Sequence, residues 1–154
     1  MFMSAVVRTL FGLVLLGLAA TSQAELLKPM VLAYTKSGGD IGAETEALRE
    51  RLTAAGFEAL GQYEVDSDVT VMVFTSEELL EAAAGSERGA YIAPLRVAVT
   101  RVNDQLQVSY NNLEYFGHAY QVGHSLAGVM SRIESAIGAQ ETFGAGGLRP
   151  ESLA

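Results

Sequence analysis

Short apolar runs alternate with amphipathic stretches along this chain, and the period of each separates strands from helices. "MVLAYTK" at 30–36 is apolar with β-branched and aromatic members, and Pro29 and "SGGD" bound it, which predicts a strand. "IGAETEALRERLTAAG" at 41–56 places Ala47, Leu48, Leu52 and Ala55 on one helical stripe. Asp40 is positioned to cap that helix, Glu44 and Glu46 enrich its first turns, and Gly56 stops it. "FEALGQYEV" (57–65) and "DVTVMVFT" (68–75) predict two more strands joined at Asp66-Ser67, the second so apolar that a central place in a sheet is expected. Ser76 is placed to cap a short helix, "EELLEAAA", with Glu77 and Glu78 at the positive end of its dipole and Gly85 ending it. "PLRVAVTRV" and "QLQVSY" predict a hairpin around Asn103-Asp104, in which Val97 and Val99 alternate with Arg96, Thr100 and Arg101. A last helix is predicted over 113–137.

The order β-α-β-β-α-β-β-α predicts an α+β fold, a two-layer sandwich whose mainly antiparallel sheet carries the helices on one face. No internal repeat or heptad competes with this arrangement.

The two ends of the chain read differently. At the start, Arg8 precedes an apolar run from Leu10 to Ala20, and Ser22 and Ala24 occupy the minus-three and minus-one positions of an A-x-A-like cleavage site. That is the layout of a secretory signal peptide, so residues 1–24 are expected to be removed and the protein exported to the periplasm. The run falls short of the roughly 20 residues a membrane span needs, so no stable span is expected after cleavage. A single domain is expected over 25–137. The glycine-rich end, 138–154, shows no periodicity and predicts a flexible tail with Phe143 and Leu148 as its only apolar anchors.

Composition narrows the chemistry. The formal net charge is −8, and loss of Arg8 with the signal makes it −9. An acidic surface repels phosphate backbones, so nucleic acid is not an expected partner. The chain has no cysteine, which excludes disulfides, thiol redox catalysis, iron–sulfur clusters and finger-type zinc sites.

Both histidines lie in "NNLEYFGHAYQVGHS" at 111–125. On a continuous helix centred on Leu126, the residues Tyr115, Ala119, Val122, Met130, Ile133 and Ile137 form the buried stripe. His124 then points to solvent and His118 sits on the flank, too far around to share a metal. Gly117, Gly123 and Gly128 each weaken helix by about 1 kcal/mol, and a kink near Gln121–Gly123 would free the geometry. Glu114 and His118, four apart, would then form a two-ligand clip with His124 or Tyr120 as third donor. Zinc would accept Glu114, His118 and His124, and a haem either histidine. No recurrent metal motif is present and no cofactor is expected. The aromatic cluster of Tyr110, Tyr115, Phe116 and Tyr120 suits a core edge or, with His118, the rim of a ligand cleft.

Other constellations read as structure. "SGGDIG" has the wrong spacing for a dinucleotide loop, lacks a P-loop lysine and puts Asp40 where an anion would sit. Ser125 has no nucleophile elbow around it. Glu77/Glu78 and Asp66/Asp68 are helix-start and turn residues, so no catalytic residues are assigned.

The order and spacing of "EALRERLTAAGFEAL", "VTVMVFTSEELLEAA" and "YIAPLRVAVTRVNDQLQVSYNN" resemble a family of small bacterial α+β domains, domain of unknown function family 302. The matching features are Gly56-Phe57 before a strand, a strand running into a short helix over Val71–Ala83, and a proline opening a hairpin over Pro94–Val108. The likeness covers about 29–112. It departs where relatives often carry Asn-Pro, here "FTSEE", and a cysteine after the proline, here Leu95. The resemblance implies the fold already derived and no activity.

The expected function is therefore a non-enzymatic exported module. It binds a small molecule or a periplasmic protein at a cleft rimmed by Tyr110, Tyr115, Phe116, His118 and Tyr120. Homodimerisation through a sheet edge is a variant. A metal- or haem-binding protein is the alternative, and a hydrolase a third.

Overall fold

The structure, a computed structural model, describes residues 26–153. The expected signal segment and its cleavage site lie outside the described residues. Strands β1 (Met30–Ser37), β2 (Glu58–Asp66), β3 (Val69–Thr75), β4 (Leu95–Val102), β5 (Gln105–Asn111) and β6 (Glu141–Phe143) form one sheet in the order β2-β3-β4-β5-β1-β6. Every pairing is antiparallel. Helices α1 (Ile41–Ala54), α2 (Glu77–Ala84), α3 (Leu113–Ala119) and α4 (Ala127–Ile137) complete the α+β sandwich, with short 3-10 turns at Gly89–Tyr91 and Pro150–Ser152. No helix among the described residues is long and apolar enough to cross a membrane.

Period-two patterning decides which face of the sheet is covered. Met72 and Phe74 of β3 stand beside Val97 and Leu95 of β4, and Val97 and Val99 stand beside Tyr110 and Val108 of β5. All of these are buried, and they join Leu48 and Leu52 of α1, Leu79 of α2 and Ile133 of α4 in one core. Burying an aliphatic side chain of this size contributes about 2 kcal/mol, so this face accounts for much of the driving force for folding. The opposite face, with Val71, Val73 and Ala98, stays half-buried. β3 is paired on both sides as its apolar run predicts, although β4 and β5 occupy the middle.

The capping residues do what their chemistry predicts. Asp40 accepts from the Ala43 amide (2.8 Å) and Ser76 from the Leu79 amide (3.4 Å). Gly56 sits at φ +87, which L side chains rarely adopt, and ends α1. Asn103 takes a left-handed φ of 55 in the β4–β5 turn.

Two expectations are overturned. The segment 138–154, expected to lack regular structure, carries a strand and a 3-10 turn. Its first part forms β6, which pairs Met30 with Phe143 and Leu32 with Glu141. Further on, Leu27 and Leu148 exchange two backbone hydrogen bonds of 2.8 and 2.9 Å. The unpaired edge of β1 supplies the ladder partners that a lone glycine-rich segment lacks, and strand pairing needs no helical or apolar periodicity in the added piece. The second correction concerns the helix over 113–137, which is two helices with a loop over 120–126.

Candidate functional site

The break between α3 and α4 builds the site. Asn112 starts α3: its side-chain oxygen accepts from the amides of Glu114 (3.1 Å) and Tyr115 (3.4 Å), and its side-chain nitrogen donates to the Lys28 carbonyl (2.9 Å). That anchors the helix to the residues leading into β1. At the far end the Val122 amide donates to Gly117 O (2.8 Å) and the Gln121 amide to His118 O (3.0 Å). This is a Schellman closure, and Gln121 holds the left-handed position, φ 56, that glycine usually fills. The chain then turns back and enters α4 at Ala127 with no side-chain cap.

This geometry changes what the histidines can do. On a continuous helix His118 and His124 would face apart. Here both line one cleft of about 340 Å³ with Glu114, between α3, the loop and the start of α4. Leu27, Val122 and Leu126 supply its apolar surface, Ser125 and the two imidazoles its polar rim, and Pro150 of the tail closes one side. Leu126 is buried, whereas Glu114, His118, His124 and Ser125 are exposed. The His124 ring lies against Gly85 at the end of α2, so close that a Cβ there would come within 2.7 Å of Cε1. Ser125 Oγ accepts from the Ala127 amide (3.4 Å) and thus serves the turn.

The candidate metal ligands therefore share a cleft, yet among the described residues no three His, Asp or Glu side chains come close enough to hold a metal ion. The aromatic candidates divide. Tyr110 is fully buried, and its hydroxyl donates to Gly138 O (3.1 Å), so it belongs to the core and not to a cleft rim. Burial, with the Glu134 charge added, pushes its phenol above the ordinary range. Tyr115, Phe116 and Tyr120 run along the other side of α3 as a row of contacting rings that ends at Tyr91, with centroid spacings of 5.2, 5.8 and 5.2 Å. His118 is thus separated from the aromatics with which it was grouped. Leu27, Pro150 and Tyr91 escaped the sequence reading because only the tertiary fold brings them to α3.

A second polar cluster was also missed. Glu44, on the inner side of α1, is 4 % exposed. It accepts from Tyr34 Oη, from Lys36 Nζ and from the Arg51 guanidinium, the last at 3.3 Å. Burial alone would raise its carboxyl, but the hydrogen bonds from Lys36 and Tyr34 and the charges of Lys36 and Arg51 outweigh that and hold it below the ordinary carboxylate value. Burial and the bond to Glu44 push the Tyr34 phenol up to about 12. A tyrosine so disposed is a poor nucleophile at neutral pH, and the cluster satisfies its own members. It is a structural clamp between β1 and α1.

With that geometry in place, the chain compares with a solved structure, that of the uncharacterized conserved protein DUF302 from Bacillus stearothermophilus. The TM-score is 0.57 and the identity 15 %, over 68 % of this chain and 94 % of that one. The fold is DUF302-like. Searches found no family model that matches the sequence and no curated protein that matches it. The DUF302-like core is therefore shared with a protein of no assigned activity, and the cleft has to be read on its own chemistry.

Proposed function

We propose that the protein is an exported, non-enzymatic binding module and that the cleft between α3 and α4 receives a small amphipathic molecule. The observation that carries the reading is the composition of this space. An apolar surface from Leu27, Val122 and Leu126 is ringed by hydrogen-bonding groups at Glu114, His118, His124 and Ser125, the usual make-up of a small-molecule site. Among the described residues neither imidazole hydrogen-bonds a hydroxyl nucleophile, and Ser125 is turned into its own loop, which argues against acyl-transfer chemistry. Export rests on the sequence of the first 24 residues alone.

Two measurements test this. Native mass spectrometry of the full chain expressed in a bacterium and recovered from the periplasm should give the mass of residues 25–154. An intact N-terminus in the cytoplasm would remove the export reading. An extra zinc or haem mass that vanishes in His118→Ala would turn the cleft into a metal site instead. For the cleft itself, the amphipathic dye 1-anilinonaphthalene-8-sulfonate should bind saturably to the native protein. Ala127→Trp, an exposed rim position, should block it without unfolding the chain. Equal dye binding in both proteins would refute the assignment.

A further inference from the structure

The row of aromatic rings on α3 ends beside a recess distinct from the cleft. Phe116 and Tyr120 are nearly parallel, with 18° between planes and centroids 5.8 Å apart, and Tyr91 continues the row 5.2 Å beyond Tyr120. Phe116 packs on the core, so the row is braced from below. Tyr91, at its outer end, is 66 % exposed. An aromatic ring of this size normally gains from burial, yet here the fold holds one out on a rigid support.

Next to it lies a recess of about 200 Å³ lined by Ser86, Glu87, Arg88, Tyr120 and Gln121 together with glycine backbone. Two hydrogen bonds brace its surroundings. The Tyr91 amide donates to Arg88 O (3.3 Å), and the Gly123 amide donates to Ser86 Oγ (3.3 Å), which ties the loop after α3 to the loop after α2. Neither Glu87 nor Arg88 enters an ion pair among the described residues, so both keep their hydrogen-bonding capacity. Gln121, one of two non-glycine residues in a left-handed conformation among the described residues, also lines the recess, and strain of this kind concentrates where side chains are held for a ligand.

An exposed, braced aromatic face beside planar groups that hydrogen-bond in pairs is the combination a sugar ring requires. The C–H face of a pyranose is apolar and lies on an aromatic ring. Its hydroxyls, each both donor and acceptor, pair with guanidinium, carboxylate and amide groups. A purely apolar ligand would leave Arg88 and Glu87 desolvated without partners, at a cost. A simple anion would make no use of the ring. We propose that the recess between Tyr120, Gln121 and the Ser86–Arg88 loop, extended at its margin by the Tyr91 ring stacked on Tyr120, is a saccharide subsite that takes one pyranose ring.

The test uses the full chain, fluorescently labelled, on an array of immobilised neutral, N-acetylated and uronic-acid glycans. The best glycan is then titrated in solution. Tyr91→Ala should weaken binding about tenfold and Tyr91→Phe should retain it, since the ring and not the hydroxyl provides the platform. Arg88→Ala should also weaken it. Both positions are exposed, and unchanged far-ultraviolet dichroism confirms that the variants fold. His118→Ala should bind the glycan as the parent does, which separates this subsite from the α3–α4 cleft. Absence of any retained glycan, or equal affinity in Tyr91→Ala, would overturn the proposal.

Discussion

Replacing Glu44 by glutamine asks how much the clamp between β1 and α1 contributes to stability. The change keeps the shape and removes the charge. In the native protein the carboxylate accepts from Tyr34, Lys36 and Arg51 while being 4 % exposed. Breaking a fully buried ion pair costs about 3–5 kcal/mol, because the surviving charge is stranded. Here the survivors are not stranded, since the side chains of Lys36 and Arg51 are 46 % and 43 % exposed and turn readily to water. What remains is the loss of charge-assisted hydrogen bonds and the awkward placement of an amide NH2 among donors, about 2 kcal/mol. For a domain of this size that lowers Tm by about 7 °C. The pH dependence gives the sharper check. Glu44 has a lower pKa folded than unfolded, so its contribution is complete above the unfolded value, about 4.3, and disappears as pH falls through the folded value. Urea unfolding of both proteins should show a gap of about 2 kcal/mol at pH 7 that narrows steadily below about pH 4. Equal stability at pH 7, or a gap undiminished in acid, would refute the account of the clamp.

Three further outcomes follow from local geometry. Gly89→Ala places a Cβ 2.3 Å from the Ala83 carbonyl oxygen, a backbone clash that no rotamer relieves, so thermal melting should show a loss of more than about 2 kcal/mol. Gly85→Ala meets the movable His124 ring instead; it should leave Tm within a few degrees yet weaken dye binding in the cleft, and undisturbed binding would show that His124 does not shape that space. Tyr110→Phe removes the hydroxyl that donates to Gly138 O between α4 and β6, leaving a carbonyl without that partner, so denaturant unfolding should register about 1 kcal/mol of destabilisation.

The elements that obey local rules were legible in the residues themselves. Asp40 and Ser76 cap their helices as their side chains predict, Gly85 ends α2, and the alternation in Leu95–Val102 gave its buried face directly. The failures differ in cause: β6 and the burial of Glu44 depended on contacts distant in sequence, whereas the α3–α4 break is a local closure that the sequence offered only as an alternative kink near Gln121–Gly123. The α3–α4 break falls at Gln121, a residue with no conspicuous tendency toward left-handed backbone, while the neighbouring glycines Gly117 and Gly123 adopt ordinary angles. The helical wheel assumed continuity there and therefore sent His118 and His124 to different faces. Glu44 reads as a first-turn carboxylate on a helix, and only the β1 side chains beneath it reveal why it is buried. β6 carries three residues whose strand character comes from their partner in β1. The candidate cleft was half legible: Glu114, His118 and His124 were named and brought together on the alternative of a kinked helix, but the walls given by Leu27 and Pro150 were not.

The place of β1 in the sheet governs when the molecule can exist as a folded body. β1 is the first strand in the chain, yet its hydrogen-bonded neighbours are β5 and β6, with Met30 opposite both Asn111 and Phe143. Closing such long loops costs entropy before any contact repays it, and topologies dominated by distant pairings fold slowly. A ribosome would have released most of the polypeptide before the opening strand found a partner. Until then β1 has no ladder partner. On the proposed export of the protein, that delay would leave a window in which the chain could be threaded through a narrow translocation pore before its own sheet locks it shut.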